Sequence, residues 1–367
     1  MTENLTFTLR GVRQYRWVEL VAMPKRSRMK YAPKALLAVG LGIALTQPVF
    51  AEDMPLKVVL DWAFEGPQAM WSAAAQSGCF GQKKLDVSID RGFGSGDTIS
   101  KVAAGSYDIG VADFGSIVAY NAKHPDNPLV AAFIVSDRSS ASVNVLKSSG
   151  ITSPKALEGK RIADTQGEAS RVLFPAFAKE NGIDPAKISW VNVSVNLRQA
   201  SLVRGQADAA AGHILTVVNG LRALGVKKDE IFSMPFAEYG VDVPGNAVIA
   251  KPAWAQAHPQ QMRDFLSCTV AGIKTTISDP KAAIASLKKY NSMLDADYEA
   301  EHLEFATHVA VLTPHVKQNG LSNIDPARLN RSIEQISEAL GVERPLTSQV
   351  WTADYLPPQS ELTVGAP

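Results

Sequence analysis

Two stretches 100 residues apart read alike: "KVAAGSYDIGVADFG" (101–115) and "SLVRGQADAAAGHI" (201–214). Each is a helix end, a Gly, two residues, an Asp, and then a strand of small residues, with Gly105 matching Gly205 and Asp108 matching Asp208. In such a unit the Gly ends a helix in the left-handed conformation, and the Asp opens a strand whose far end feeds a loop. A strand, loop and helix stand before each copy, "IDRGFGSGDTISKVAAG" in one and "VNVSVNLRQASLVRG" in the other. A single helix–Gly–strand unit recurs in every α/β protein. The matched order of elements predicts more: two similar α/β halves in one chain.

The rest of the sequence agrees. Short apolar runs alternate with longer helix-period segments, the pattern of mainly parallel sheets flanked by helices. Strands are expected at 56–61, 85–90, 107–113, 129–135, 160–164, 188–193, 207–212 and 246–251, and from about Pro252 onward the chain reads as almost entirely helical. No low-complexity linker separates two blocks, so the second half must be woven into the first.

The N-terminus bears on location. "MPKRSRMKYAPK" (23–34) is a basic region, "ALLAVGLGIAL" (35–45) an apolar run of signal-peptide length, and "PVFA" offers cleavage after Ala51. The apolar run is shorter than the roughly 20 residues that cross a bilayer. Residues 1–22 precede this pattern, as a wrongly chosen start would leave them. The formal net charge of +1 is set by this segment, because residues 1–51 hold 8 basic and 2 acidic side chains; the remainder holds 29 basic against 34 acidic, or −5. That balance gives no electrostatic reason to expect nucleic acid or an anionic membrane as partner. Of the two cysteines, Cys79 and Cys268, export allows a disulfide, yet each sits in an apolar, helix-like context that favours an unpaired core cysteine. Neither has a His or acidic partner at metal-ligand spacing, so no metal and no cofactor is expected.

With these features in place, "LDW" closing the first strand, "GSGDTISKVAAGSYDIGVADFGS" and "ITSPKALEGKRIADTQGEAS" (151–170) together resemble the periplasmic solute-binding proteins of ABC importers. The branch is the one serving nitrate, sulfonate, taurine and thiamine-precursor pyrimidines, the NMT1/ThiY-like group. The resemblance covers roughly residues 55–290. It implies an α/β, two-lobed periplasmic-binding-protein type II fold, a Venus flytrap with two crossover segments: lobe 1 over 54–140 plus 243–345, lobe 2 over 146–238, and a tail over 346–367. It also implies a monomer in the periplasm, partnered by a membrane permease and its ATPase, that captures a small-molecule solute between the lobes by hinge closure.

In that fold each site loop follows the C-terminal end of a strand. In "DWAFEGPQ" (61–68), Trp62 and Phe64 can stack on a flat ring while Glu65 or Gln68 bonds ring nitrogens or an amine. Core packing for Trp62 and a helix first turn for Glu65 are the ordinary alternatives. "GFGSGDT" (92–98) brings Ser95 and Gly96 close to a ligand, with Asp97 and Thr98 more suited to capping. "DFGS" places Asp113 and Phe114 on the rim, with burial in the core an equal alternative for Phe114. From the second half, "DTQGEASRVLF" (164–174) offers Gln166, Gly167, Glu168 and Ser170, and the matching loops offer Asn196 and His213. Arg198 can face a carboxylate or sulfonate, but at the start of a helix solvation is the commoner fate. Glu238 and Tyr239 stand near the second crossing.

No catalytic residue is expected, since no nucleophile elbow, metal spacing or phosphate-cradling loop occurs. A pyrimidine-precursor synthase shares the fold, but proteins resembling it carry a cysteine-rich run, and Cys79 stands alone. Two carboxylates, Glu65 and Glu168, near the ligand argue against an anion. The expected solute is therefore a neutral or cationic nitrogen-containing molecule of pyrimidine type, with sulfonate, taurine or nitrate as the alternative.

Overall fold

A computed structural model of the protein describes residues 54–364. The described residues belong to one compact unit; the expected signal peptide lies outside them. Ten strands form two five-stranded mixed sheets. The strands are β1 (Met54–Val59), β2 (Leu85–Asp90), β3 (Ile109–Asp113), β4 (Val130–Ile134), β5 (Ala141–Leu146), β6 (Arg161–Asp164), β7 (Ser189–Asn192), β8 (Ala209–His213), β9 (Ile231–Pro235) and β10 (Asn246–Ala250).

The sheets follow one plan: order β2-β1-β3-β10-β4 in the first and β7-β6-β8-β5-β9 in the second. β10 runs antiparallel between β3 and β4, and β5 antiparallel between β8 and β9. Each of these strands is the first that the chain forms after crossing from the other sheet. That exchange explains the missing linker. The central strand β3 and the edge strand β4 are buried along their whole length, as near-continuous apolar runs demand when helices cover both faces.

The repeat read from the sequence is structural. Helix α3 ends at Gly105 (φ +75°) and the helix after β7 ends at Gly205 (φ +67°); the first of these spans Ser95–Ala103 and follows α1 (Ala69–Gln76) and α2 (Cys79–Gln82). Ser106 N donates to Lys101 O and Gly105 N to Val102 O, while Gln206 N donates to Ser201 O and Gly205 N to Leu202 O. Both are the double bond that closes a helix on a left-handed glycine. Asp108 Oδ2 then accepts from Lys57 N at 2.8 Å and Asp208 Oδ2 from Arg161 N at 2.8 Å, so each Asp pins the start of β3 or β8 to the neighbouring strand.

Two strands were not expected. β5 lies within the segment read as the first crossing, and β9 carries no strand pattern. Ser142 and Asn144 interrupt the apolar run of β5, yet both are fully buried: Ser142 Oγ donates to Gly212 O and Asn144 Nδ2 to Ser142 Oγ. The expectation for the cysteines is also corrected. Cys79 and Cys268 form a disulfide, with Cα atoms 5.7 Å apart, tying α2 to the long helix Pro259–Ser278. Their apolar surroundings are shared because that helix packs against α1 beside α2. Residues past 345 pack as well: Trp351 pairs with Ala131, and Leu362 and Val364 are buried. Among the described residues no helix is long and apolar enough to cross a membrane.

Candidate binding site

A cavity lies between the sheets, where the C-terminal ends of the parallel strands meet. It measures about 60 Å³, several times the roughly 10–15 Å³ that admits one water. That size suits a small molecule and excludes a polymer. Asp61, Trp62, Gln68, Ser95 and Asn246 line it from the first sheet; Glu168, Arg198 and His213 line it from the second. Leu303, Ala306, Ala310 and Val311 close it with an apolar wall. That wall includes a π-helical stretch, Thr307–Val311, a local form that often marks functional sites.

The polar groups are arranged in two bonded sets. On the first side Asn246 Nδ2 donates to Asp61 Oδ2 at 2.7 Å. Burial pushes the Asp61 carboxyl above its ordinary range, against the opposing pull of His213 and the Asn246 hydrogen bond. On the second side Arg198, 1% exposed, is held between Glu168 Oε1 at 3.1 Å and Asp164 Oδ1 at 3.6 Å. Its guanidinium carbon lies 5.7 Å from the centre of the Trp62 ring, a cation–π contact that spans the two sheets. Asp164 is pushed up to about 7, first by burial and then by the Glu168 charge, with Arg198 and Ser170 opposing.

Three buried acceptors in this cavity have no partner: Asp61 Oδ1, Gln68 Oε1 and Asn246 Oδ1; among donors Arg198 Nε stands alone. Because Asn246 gives its NH₂ to Asp61, its oxygen must point elsewhere. Buried polar groups without partners are rare, and three unsatisfied acceptors in one small cavity call for hydrogen-bond donors.

The two halves touch directly. Gly96 N donates to Gly167 O at 3.0 Å, and a Cβ on Gly96 would come within 3.0 Å of that same oxygen. Arg222 also reaches across, binding both carboxylate oxygens of Glu301 at 2.7 and 3.2 Å. The two halves are thus in contact beside the cavity.

Of the residues read from the sequence, Trp62, Gln68, Ser95, Glu168 and His213 border the cavity, while Gly96 and Gly167 form the contact between halves. Glu65 and Asn196 border an adjoining groove instead. The others are corrected. Phe64 turns away and packs on Tyr290, ring centres 4.6 Å apart. Phe114 is fully buried in the core, and Asp113 caps the helix Phe114–Lys123 through Gly115 N while accepting from Ser139 Oγ. Ser170 is buried and donates to Asp164 Oδ2. Gln166 and Glu238 are exposed, and Tyr239 packs edge-on against Phe177. Arg198 is the reverse case: it is buried and ion-paired, where solvation was expected. Asp61 and Asn246 were missed, the first because it reads as the end of a strand, which is the position that feeds a site. Among the described residues, no group of three or more His, Cys, Asp or Glu can hold a metal ion.

Two mixed sheets that exchange a strand, with a small polar cavity between the ends of their strands, define a protein of the periplasmic-binding-protein fold. The chain belongs to the NMT1/THI5-like family, which matches residues 69–283, more than half of its length. A protein of Haemophilus influenzae named for thiamine biosynthesis is 27% identical over 201 residues, 55% of this chain and 62% of that relative. The 4-amino-5-hydroxymethyl-2-methylpyrimidine phosphate synthase of Legionella pneumophila is 27% identical over 157 residues, 43% of this chain and 48% of its own. The chain thus spans less than two thirds of either relative. The crystal structure of the periplasmic aliphatic sulphonate binding protein of Escherichia coli superposes with a TM-score of 0.62 over 81% of this chain and 92% of that one, at 16% identity, a likeness of fold.

Proposed function

We propose that the protein is the periplasmic substrate-binding component of an ABC importer, capturing a small nitrogen heterocycle of aminopyrimidine type and passing it to a membrane permease and its ATPase. The observation that carries this reading is the acceptor set Asp61 Oδ1, Gln68 Oε1 and Asn246 Oδ1, buried and unpartnered in one cavity. An amino group and a ring N–H supply what those oxygens lack. Nitrate and sulfonate offer only acceptors, and Arg198, the group best suited to them, is already held by Glu168 and Asp164. Trp62 provides a flat wall for a ring.

A binder rather than an enzyme is favoured because the cavity groups are bonded to one another and none is paired as nucleophile and base. Cys79 is held in a disulfide, which removes it from metal or redox chemistry and suits an exported protein. Mass spectrometry of the protein purified from the periplasm under native conditions tests the reading. A co-purifying aminopyrimidine or related heterocycle is the expected result; taurine, an alkanesulfonate or nitrate as the bound species would overturn the ligand class, and turnover of the bound molecule would overturn the binder.

A further inference from the structure

The cavity does not end at Trp62. That ring and Thr216 border both the cavity and a wider groove, so the two spaces adjoin. The groove measures about 390 Å³ against the cavity's 60 Å³. Five titratable residues line it: Glu65, Arg91, Tyr298, Glu299 and His302.

Their pairing leaves acceptors open. Glu65 Oε1 accepts from Trp62 Nε1 at 3.3 Å, which leaves Oε2 without a bond. Glu299, 5% exposed, accepts from Gly66 N and lies 3.3 Å from His302 Nδ1. His302 is 2% exposed and its Nε2 has no partner. With Nδ1 turned to the Glu299 carboxylate, Nε2 is the ring nitrogen left without a bond. The one full cation, Arg91, is engaged elsewhere, its guanidinium 4.4 Å from the Phe93 ring centre. Burial, and after it the Glu299 charge, push the Glu65 carboxyl up, while His302, the Trp62 hydrogen bond and Arg198 pull the other way.

We infer that this groove is a second subsite for an amine-bearing arm on the cavity ligand, held by the Glu65 and Glu299 carboxylates and the unpartnered Nε2 of His302. The inference rests on the heterocycle reading of the cavity and extends it: the solute class becomes a ring with a protonated amine side arm. An organic cation is favoured over a metal ion, since no group among the described residues has the ligands for one.

Isothermal titration of the mature protein separates the two readings with three probes: a bare aminopyrimidine, the same ring with an aminoethyl arm, and the same ring with a propyl arm. The amine arm is expected to bind at least about tenfold more tightly than the propyl arm, the margin of a charged hydrogen bond. In Glu65→Gln, whose amide oxygen still accepts from Trp62 Nε1, the bare ring should bind as it does to wild type and the amine advantage should fall to near parity. If the ring binds but the amine arm gains nothing over propyl, the groove inference is overturned and the cavity reading stands. If none of the three binds, both are overturned.

Discussion

Asn246 and Asp61 meet at 2.7 Å although 185 residues separate them, because β10 runs antiparallel and its start shares the mouth of the first sheet with the loop after β1, with β3 between the two strands. The bond orients both side chains with one oxygen each left open to the cavity. It also sets the first prediction. Asp61→Asn keeps the shape but removes the charged acceptor, so heterocycle binding should weaken by about 1.5–3 kcal/mol, the worth of a charge-assisted hydrogen bond. The melting temperature of the free protein should stay level or rise, because a buried carboxylate costs more to fold than a buried amide. Calorimetric titration and thermal melts of one preparation measure both; equal affinity would remove Asp61 from the site.

The buried acids make the protein less stable as pH rises. Asp164 is pushed up to about 7, and Asp61 and Asp113 are raised by burial as well. Between an unfolded carboxyl's ordinary range near 4 and the folded value, the folded state holds more protons than the unfolded one, so folding stability falls as pH increases through that window. Denaturant unfolding of the free protein should show higher stability at pH 5 than at pH 7.5, and Asp164→Asn should flatten that difference. An unchanged slope in the variant would assign the dependence to other groups.

Cys79→Ser with Cys268→Ser should lower stability by roughly 2–4 kcal/mol and leave ligand affinity unchanged, since the bridge joins α2 to the helix Pro259–Ser278 and neither cysteine borders the cavity. Reductant should lower the wild-type melting temperature by the same amount as the double substitution. A loss of affinity in the variant would mean that the bridge shapes the site.

The Arg222–Glu301 pair spans the halves, but both side chains are well exposed, 31% and 54%, and exposed pairs contribute only about 0.2–1 kcal/mol. Arg222→Ala should therefore weaken binding by less than about fivefold, through faster release, and the difference should vanish at high salt. Stopped-flow release rates at low and high salt check this. A larger, salt-independent loss would make Arg222 part of the ligand contact.

What was legible in the sequence follows from geometry. Trp62, Glu168 and His213, named from the sequence, border the cavity because they sit near the C-terminal ends of β1, β6 and β8, where such folds place their sites. Asn246 and Ser140, which also border the cavity, were not named, since β10 and β5 run antiparallel to their neighbours and bring their N-terminal ends to the same mouth. Arg198 looked solvated because Glu168, 30 residues earlier, reaches it only once β6 and the helix Arg198–Val203 are side by side. The wall from Leu303 to Val311 carries no motif at all; its apolar residues read as ordinary helix. The strands were clear wherever apolar runs were unbroken, and β5 was hidden by Ser142 and Asn144, whose buried hydrogen bonds a periodicity cannot anticipate.

Gly96 and Gly167 meet backbone to backbone across the two halves, and an opening of the cleft would break the contact. A Cβ on Gly96 would stand 3.0 Å from Gly167 O and 3.1 Å from Gly167 Cα, so Ala must push the halves apart by a few tenths of an ångström and Val by more. The backbone at Gly96 does not require a positive φ, so neither substitution strains the first half by itself. Both should leave the free protein's melting temperature close to wild type. Ligand that selects the closed form then has to overcome the overlap, and overpacking of this kind costs about 1–3 kcal/mol. Affinity should fall in the order Gly, Ala, Val, and small-angle scattering of Gly96→Val with saturating ligand should keep the larger radius of gyration of the free protein. If Gly96→Val binds and compacts like wild type, the halves do not close on this contact.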